Sequence, residues 1–129
     1  MSAKITVFIP VYNRQRFIAQ TIQSVLDQSF KDFQLLLVDD GSTDNSLEIM
    51  RSFTDDRITI VENERNLGIP KTRNIGLEHA AGEYLAILDS DDLMLKDRLK
   101  KQKRFLDKHS DYAGVGSWSR YIDCLLYTS

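Results

Sequence analysis

Apolar residues in this chain fall into short unbroken runs separated by stretches with helical spacing. Ile5 to Val11, Phe33 to Val38, Arg57 to Glu62 and Tyr84 to Leu88 are β-rich runs too short for helices, and each predicts a strand. Between the first two, Phe17, Ile18, Ile22, Val25 and Leu26 recur at helical spacing and predict an amphipathic helix from about Arg16 to Gln28. A second helix places Leu47, Met50 and Phe53 on one face and starts within Ser42-Thr43-Asp44-Asn45, a run rich in N-cap residues. Pro70 suits the first turn of a third helix, which passes Ile75 and Ala80 and stops at Gly82. Leu95, Leu99 and Leu106, with Phe105 beside them, mark a fourth helix, and Tyr112 to Trp118 reads as a fifth strand.

Strand and helix alternating through short connections imply parallel strands joined by right-handed crossovers, hence an α/β three-layer sandwich. A sheet begun in its middle orders its strands 3-2-1-4, and the reversal between strands one and four opens a crevice at their carboxyl ends. Pro10 lies near the end of the first strand, where a missing ladder donor is tolerable. Tyr12 and Asn13 then stand on one lip of the crevice and Asp89 and Asp91 on the other, with Asp39 and Asp40 ending the neighbouring second strand.

The densest chemistry is Tyr84-Leu85-Ala86-Ile87-Leu88-Asp89-Ser90-Asp91-Asp92, an apolar run that passes straight into carboxylates. Its lack of polar alternation predicts a strand buried on both faces. Unpaired charges in a core cost several kcal/mol, so the acids belong where the strand emerges. Asp89 and Asp91 are placed to converge on one divalent cation through hard oxygen ligands. A helix cap is the plainer use of such acids, although one Asp would suffice for that.

Composition narrows the classes. The 129 residues are one domain's worth, with 42% hydrophobic and 28% charged residues, as in ordinary globular proteins. A net charge of −2 gives no general attraction to nucleic acid, and no basic face carries interleaved aromatics. The single cysteine, Cys124, rules out an internal disulfide and suits a reducing, cytoplasmic compartment. No run approaches a membrane span, and the N-terminus lacks the features of a signal peptide. His79 and His109 lack partners at metal-ligand spacing and read as surface positions near helix ends, and no Ser-His-Asp or Cys-His set can be assembled.

Ile9-Pro10-Val11-Tyr12-Asn13, Val38-Asp39-Asp40-Gly41-Ser42-Thr43-Asp44, Asn66-Leu67-Gly68, Arg73-Asn74-Ile75-Gly76 and Asp89-Ser90-Asp91-Asp92 together resemble the family 2 glycosyltransferases of GT-A fold. The motifs stand in the family's order and spacing, and the resemblance covers about residues 4 to 118. It implies a nucleotide-sugar donor, usually UDP-linked, bound in the crevice with Mn²⁺ or Mg²⁺. It also implies a saccharide or lipid-linked acceptor in cell-surface polysaccharide synthesis. Carried over by residue, Tyr12 and Asp40 contact the base, Pro10 and Asn13 are further substrate-binding positions, and Arg73 lies near the nucleotide and its phosphates. Asp89-Ser90-Asp91 corresponds to the family's D-x-D, with Asp89 near the ribose and Asp91 on the metal.

The chemistry suits those roles. Negative charge grows on the diphosphate as the sugar leaves, and a Lewis-acidic metal there lowers the barrier. Each residue also has a plainer reading: Asp40 as a helix N-terminal contact, Tyr12 as core packing, Arg73 as a surface ion pair. Gly68 and Gly76 read as backbone and packing residues. The basic stretch Lys96, Arg98, Lys100, Lys101, Lys103 and Arg104 reads first as a solvated face, and secondly as a peripheral contact with the inner face of a membrane.

The resemblance also implies a further, acceptor-side half carrying the general base. No residue here is assigned that role, so the base is expected beyond residue 129. Residues 119–129 form an atypical tail ending Cys124-Leu125-Leu126-Tyr127-Thr128-Ser129, so the chain reads as one incomplete, truncated domain, inactive alone. Three other classes compete. A non-catalytic nucleotide-sugar-binding module would share every motif. A sugar nucleotidyltransferase would want glycine in the first loop, where Val11-Tyr12-Asn13-Arg14 has none. A phosphate-receiver domain would want acids after the first strand, Asp after the third and Lys after the fifth, whereas Tyr12-Asn13 and Val61-Glu62 end the first and third.

Overall fold

The computed structural model describes residues 3–122. β1 (Ile5–Val11), β2 (Phe33–Asp39), β3 (Ile58–Glu62) and β4 (Tyr84–Ile87) form one sheet in the order β3-β2-β1-β4. Every pairing is parallel: β1 runs against β2 from Ile5↔Phe33 to Val11↔Asp39, and against β4 from Ile5↔Tyr84 to Phe8↔Ile87. The helices between them are α1 (Ile18–Leu26), α2 (Ser46–Arg51) and α3 (Ile69–His79), with α4 (Arg98–Lys108) after β4. The architecture is the three-layer α/β sandwich with the switch point between β1 and β4.

Alternation along β1 sorts the core into two layers. Ile5, Val7, Ile9 and Val11 point to one side, where they meet Ile18, Ile22 and Val25 of α1, Met50 of α2 and Leu99 of α4. Phe8, Leu36 and Val38 point to the other, against Ile75 of α3. There Gly76 lets α3 lie flush on the sheet, since a Cβ at this position would come within 2.6 Å of the Phe8 ring. Pro10 shares the orientation of Phe8, whose carbonyl accepts the Leu88 N–H at 3.1 Å, and β4 has already turned away beside it. Its missing donor therefore interrupts no ladder.

Three expectations are corrected. β4 is an edge strand among the described residues, and only one of its faces is covered: Leu85 and Ile87 are 38% and 47% exposed. They lie on the α3 side, but α3 packs over β1 and β2 and leaves that strip open. Residues 112 to 118 form no strand. They are exposed throughout, Trp118 fully, and Tyr112 leans on the rings of Phe105 and His109 at the end of α4 and not on a strand, which gives no reason to order a ladder. Leu95 precedes α4 and is exposed, so the helix is held by Leu99 and its neighbours. No helix of the described residues is long and apolar enough to cross a membrane. Cys124 and the apolar tail lie outside the described residues.

Candidate functional site

Parallel strands bring their carboxyl ends to one edge. The main chain continues the ladders just past that edge, with Asp40 N–H to Val11 C=O at 2.8 Å and Asn63 N–H to Asp39 C=O at 2.9 Å. Tyr12 to Arg14, Asp39 to Ser42, Asn63 to Gly68 and Asp89 to Asp92 are thus delivered to one rim by four different strands.

After β4 the chain turns, with Asp92 N–H bonded to Asp89 C=O at 3.1 Å. Ser90 is buried, and its carbonyl accepts the hydroxyl of Thr21, itself fully buried on α1, at 3.1 Å. Pinning Ser90 inward leaves Asp89, Asp91 and Asp92 exposed. Partial burial, then the charges of Asp91 and Asp89, push the Asp92 carboxyl up, and the Arg98 guanidinium opposes this. Arg98 also donates to Ile87 C=O at 3.2 Å, bracing the strand end. The buried Gln28 holds the next stretch, donating to Leu95 C=O at 2.6 Å and accepting from Leu99 N–H at 3.2 Å.

On the opposite lip Tyr12 is 42% exposed, and Asn13 adopts a left-handed conformation with φ of 51°. The strain at Asn13 is offset by bonds to the loop after β2. Its Oδ1 accepts from Thr43 N–H at 2.8 Å and Asp44 N–H at 3.3 Å, and its own N–H donates to Ser42 Oγ at 3.0 Å. Asp44 in turn accepts from the Ser46 N–H at 2.9 Å, just ahead of α2. Arg14 donates its N–H to Ser46 Oγ at 2.7 Å and its Nη1 to the carbonyls of Tyr12 and Asn13, each at 3.3 Å. Its Nε lies 3.9 Å from Asp91 Oδ2, the ion pair that spans the crevice.

Asp40 is turned inward. Its carboxylate accepts from Leu67 N–H at 2.7 Å, Gly68 N–H at 3.1 Å and Asn63 Nδ2 at 3.0 Å. Burial pushes this carboxyl up, but donors from Leu67, Asn63, Thr72 and Gly68 outweigh it and hold it below the usual value. The Asn66-Leu67-Gly68 turn is therefore built around Asp40, and Gly68, with φ of 89°, leads into α3. Asp39 bonds Ser42 N–H through Oδ2 at 3.1 Å, while its Oδ1 is buried without a partner. Arg73 stands exposed on α3, bonded to none of the other candidate residues.

The crevice thus gathers Tyr12, Asn13, Asp89 and Asp91 directly, with Ser90 and Asp40 as buried supports. Sequence reasoning gave no binding role to Arg14, Thr21, Asp39 or Asn63, although it placed Asp39 at the end of its strand. The first and third of these adjoin residues it did select. No group of three or more His, Cys, Asp or Glu among the described residues forms a cage for a metal ion. An exposed carboxylate turn without a cage fits Mg²⁺ or Mn²⁺, which take one or two carboxylates and complete their shell with phosphate oxygens and water.

A family model described as glycosyl transferase family 2 matches residues 6–128. The protein named "Putative teichuronic acid biosynthesis glycosyltransferase TuaG" of Bacillus subtilis (strain 168) is 43% identical over 108 residues, covering 82% of this chain and 43% of that protein. Among solved structures, S. aureus TarS (residues 1–349) in complex with UDP-GlcNAc superimposes with a TM-score of 0.79 at 32% identity, over 91% of this chain and 37% of that one. The mannosyltransferase PcManGT from Pyrobaculum calidifontis, in complex with GDP-Man and Mn²⁺, gives 0.75 at 27% identity, over 82% and 33%. The chain spans less than half the length of each of these proteins. With a sheet ordered 3-2-1-4 and a match running almost end to end, this chain belongs to glycosyl transferase family 2 and has the GT-A fold.

Proposed function

We propose that this chain is the donor-binding part of an inverting glycosyltransferase that takes a UDP-sugar and passes the sugar to a saccharide or lipid-linked acceptor. The observation that carries the reading is the turn Asp89 to Asp92, fixed by the buried Ser90–Thr21 bond and left exposed at the β1/β4 switch point. That edge is where open α/β sheets bind their ligands.

In this reading the exposed Tyr12 ring stacks on the base, with Pro10 and Asn13 shaping the floor beneath it. Asp40 keeps one oxygen, Oδ2, with a single donor in Gly68, which leaves it as an acceptor for base N–H groups. Asp89 accepts from the ribose, Ser90 sets the turn, and Asp91 holds Mn²⁺ or Mg²⁺ against the diphosphate. The bound cation supplies Lewis-acid stabilisation of the departing nucleoside diphosphate. Arg73 reaches the phosphates from α3. The acceptor's general base is assigned to a part of the protein outside this chain. Lys100, Lys101 and Arg104, exposed on α4, fit a peripheral contact with the cytoplasmic face of an anionic membrane, where lipid-linked acceptors reside.

Support for the donor class comes from the neighbours' bound UDP-GlcNAc and GDP-Man, and for the metal from the Mn²⁺ bound to PcManGT. Calorimetry with UDP, GDP, dTDP and CMP, each with Mn²⁺ and with EDTA, tests it. UDP with Mn²⁺ is expected to bind most tightly. A folded sample that binds none of the four overturns the reading.

A further inference from the structure

We infer that Arg14 is the internal counter-cation of Asp91, and that it makes the chain select a metal–nucleotide complex over a free metal ion. The inference rests on the donor-site reading above and adds a residue which that reading leaves without a role.

Arg14 reaches the crevice from β1 and Asp91 from β4, so their ion pair closes the switch point from both sides. The guanidinium is not placed by Asp91. Its backbone is anchored to the buried Ser46 hydroxyl, and its Nη1 is held by the carbonyls of Tyr12 and Asn13. At 3.9 Å the contact with Asp91 is beyond hydrogen-bond length, and the Arg14 Nε–H is buried with no acceptor. A fixed positive charge with an unused donor therefore stands beside the carboxylate, which is itself 46% exposed and free to bind a second partner.

The two ligands of this site meet that charge with opposite signs. A divalent cation arriving alone at Asp91 is repelled by a guanidinium that its neighbours prevent from moving far. A diphosphate arriving with the cation brings several negative charges and an acceptor for Nε–H, so the same guanidinium then attracts. Arg14 thereby couples the two binding events, and coupling of this kind is reciprocal between the ligands.

The test measures Mn²⁺ binding alone by electron paramagnetic resonance, and UDP binding in Mn²⁺ and in EDTA by calorimetry, for the wild-type chain, Arg14→Gln and Arg14→Lys. Arg14→Gln is expected to bind free Mn²⁺ about 5-fold more tightly and UDP in Mn²⁺ about 10-fold more weakly, within the usual range of coupling factors. Arg14→Lys keeps the charge but not the fork, so its free Mn²⁺ affinity should stay at the wild-type level while UDP binding weakens. The opposed signs separate this role from a structural one, because a loosened lip weakens both ligands. Free Mn²⁺ affinity that is unchanged or lower in Arg14→Gln overturns the inference alone. A wild-type chain whose UDP affinity is the same in Mn²⁺ and in EDTA overturns it together with the metal assignment at Asp91.

Discussion

The hydroxyl of Thr21, fully buried on α1, donates to the carbonyl of Ser90 at 3.1 Å, so a helix interior fixes a turn whose acids face solvent. Thr21→Val keeps the shape and removes the donor. It should cost about 1 kcal/mol in stability and weaken UDP binding in Mn²⁺ more than UDP binding in EDTA. Urea unfolding alongside calorimetry measures both. A stability loss with no change in metal dependence would make Thr21 a packing residue only.

Replacing Asp91 by Asn preserves size and removes one charge. UDP affinity in Mn²⁺ should drop at least 10-fold, with little change in EDTA. Equal losses under the two conditions would mean that Asp91 serves the turn and not a cation.

Asp40 supports the loop that leads into α3. Asp40→Ala strands the N–H groups of Leu67 and Gly68 and the amide of Asn63, at an expected cost of about 2 kcal/mol or more. Since its folded carboxyl titrates below the unfolded value, its contribution is complete above about pH 4 and is lost as pH falls through the folded value. A variant as stable as wild type at pH 7 would refute the loop-anchoring role.

A second acid site lies far from the crevice. Arg57 donates to Asp55 at 2.9 and 2.8 Å and, with its own N–H, holds that carboxyl at about 2. The folded value is depressed, so this pair stabilises above about pH 4 and fades as pH falls toward 2. Asp55→Asn should cost about 1 kcal/mol at neutral pH, the solvent-screened worth of such a pair, and clearly less near pH 2, where the folded carboxyl is itself half protonated. Unfolding curves at both pH values decide it.

The open strip of β4 should make the isolated chain associate. Leu85 and Ile87 are uncovered on a strand that is the edge of the sheet among the described residues. Light scattering is expected to show association that Ile87→Lys reduces. A monodisperse wild-type chain would mean that some other segment covers the strip.

The sheet was readable from the sequence because its strands are short apolar runs separated by helices of clear period. Ile5 to Val11 is matched end to end, and the order 3-2-1-4 is the one expected of a sheet begun in its middle. The failures have one physical source. An apolar run such as Tyr84 to Leu88 records that something covers it in the finished protein, but not whether the cover lies among these residues. Residues 112 to 118 have strand-like composition, yet composition cannot supply a ladder partner. Within the site, charged types in a rim motif were easy to pick out. What sequence hides is direction: Asp40 turns inward to a loop, while Arg14, one position past a selected pair, turns across the crevice.

The pairing of the first strand with the last also sets the order in which the molecule can be assembled. β1 meets β2 within some thirty positions of chain, but its other edge waits for Tyr84 and the acids beyond it. During synthesis the N-terminal three strands and their helices can collapse while the crevice still has only one lip. The second lip arrives with the turn at Asp89 and is secured only when Leu99 of α4 has docked on the shared core. Long-range closure of this kind is the slow step of a parallel sheet. Among the described elements, the crevice is therefore the feature that draws on the widest span of chain.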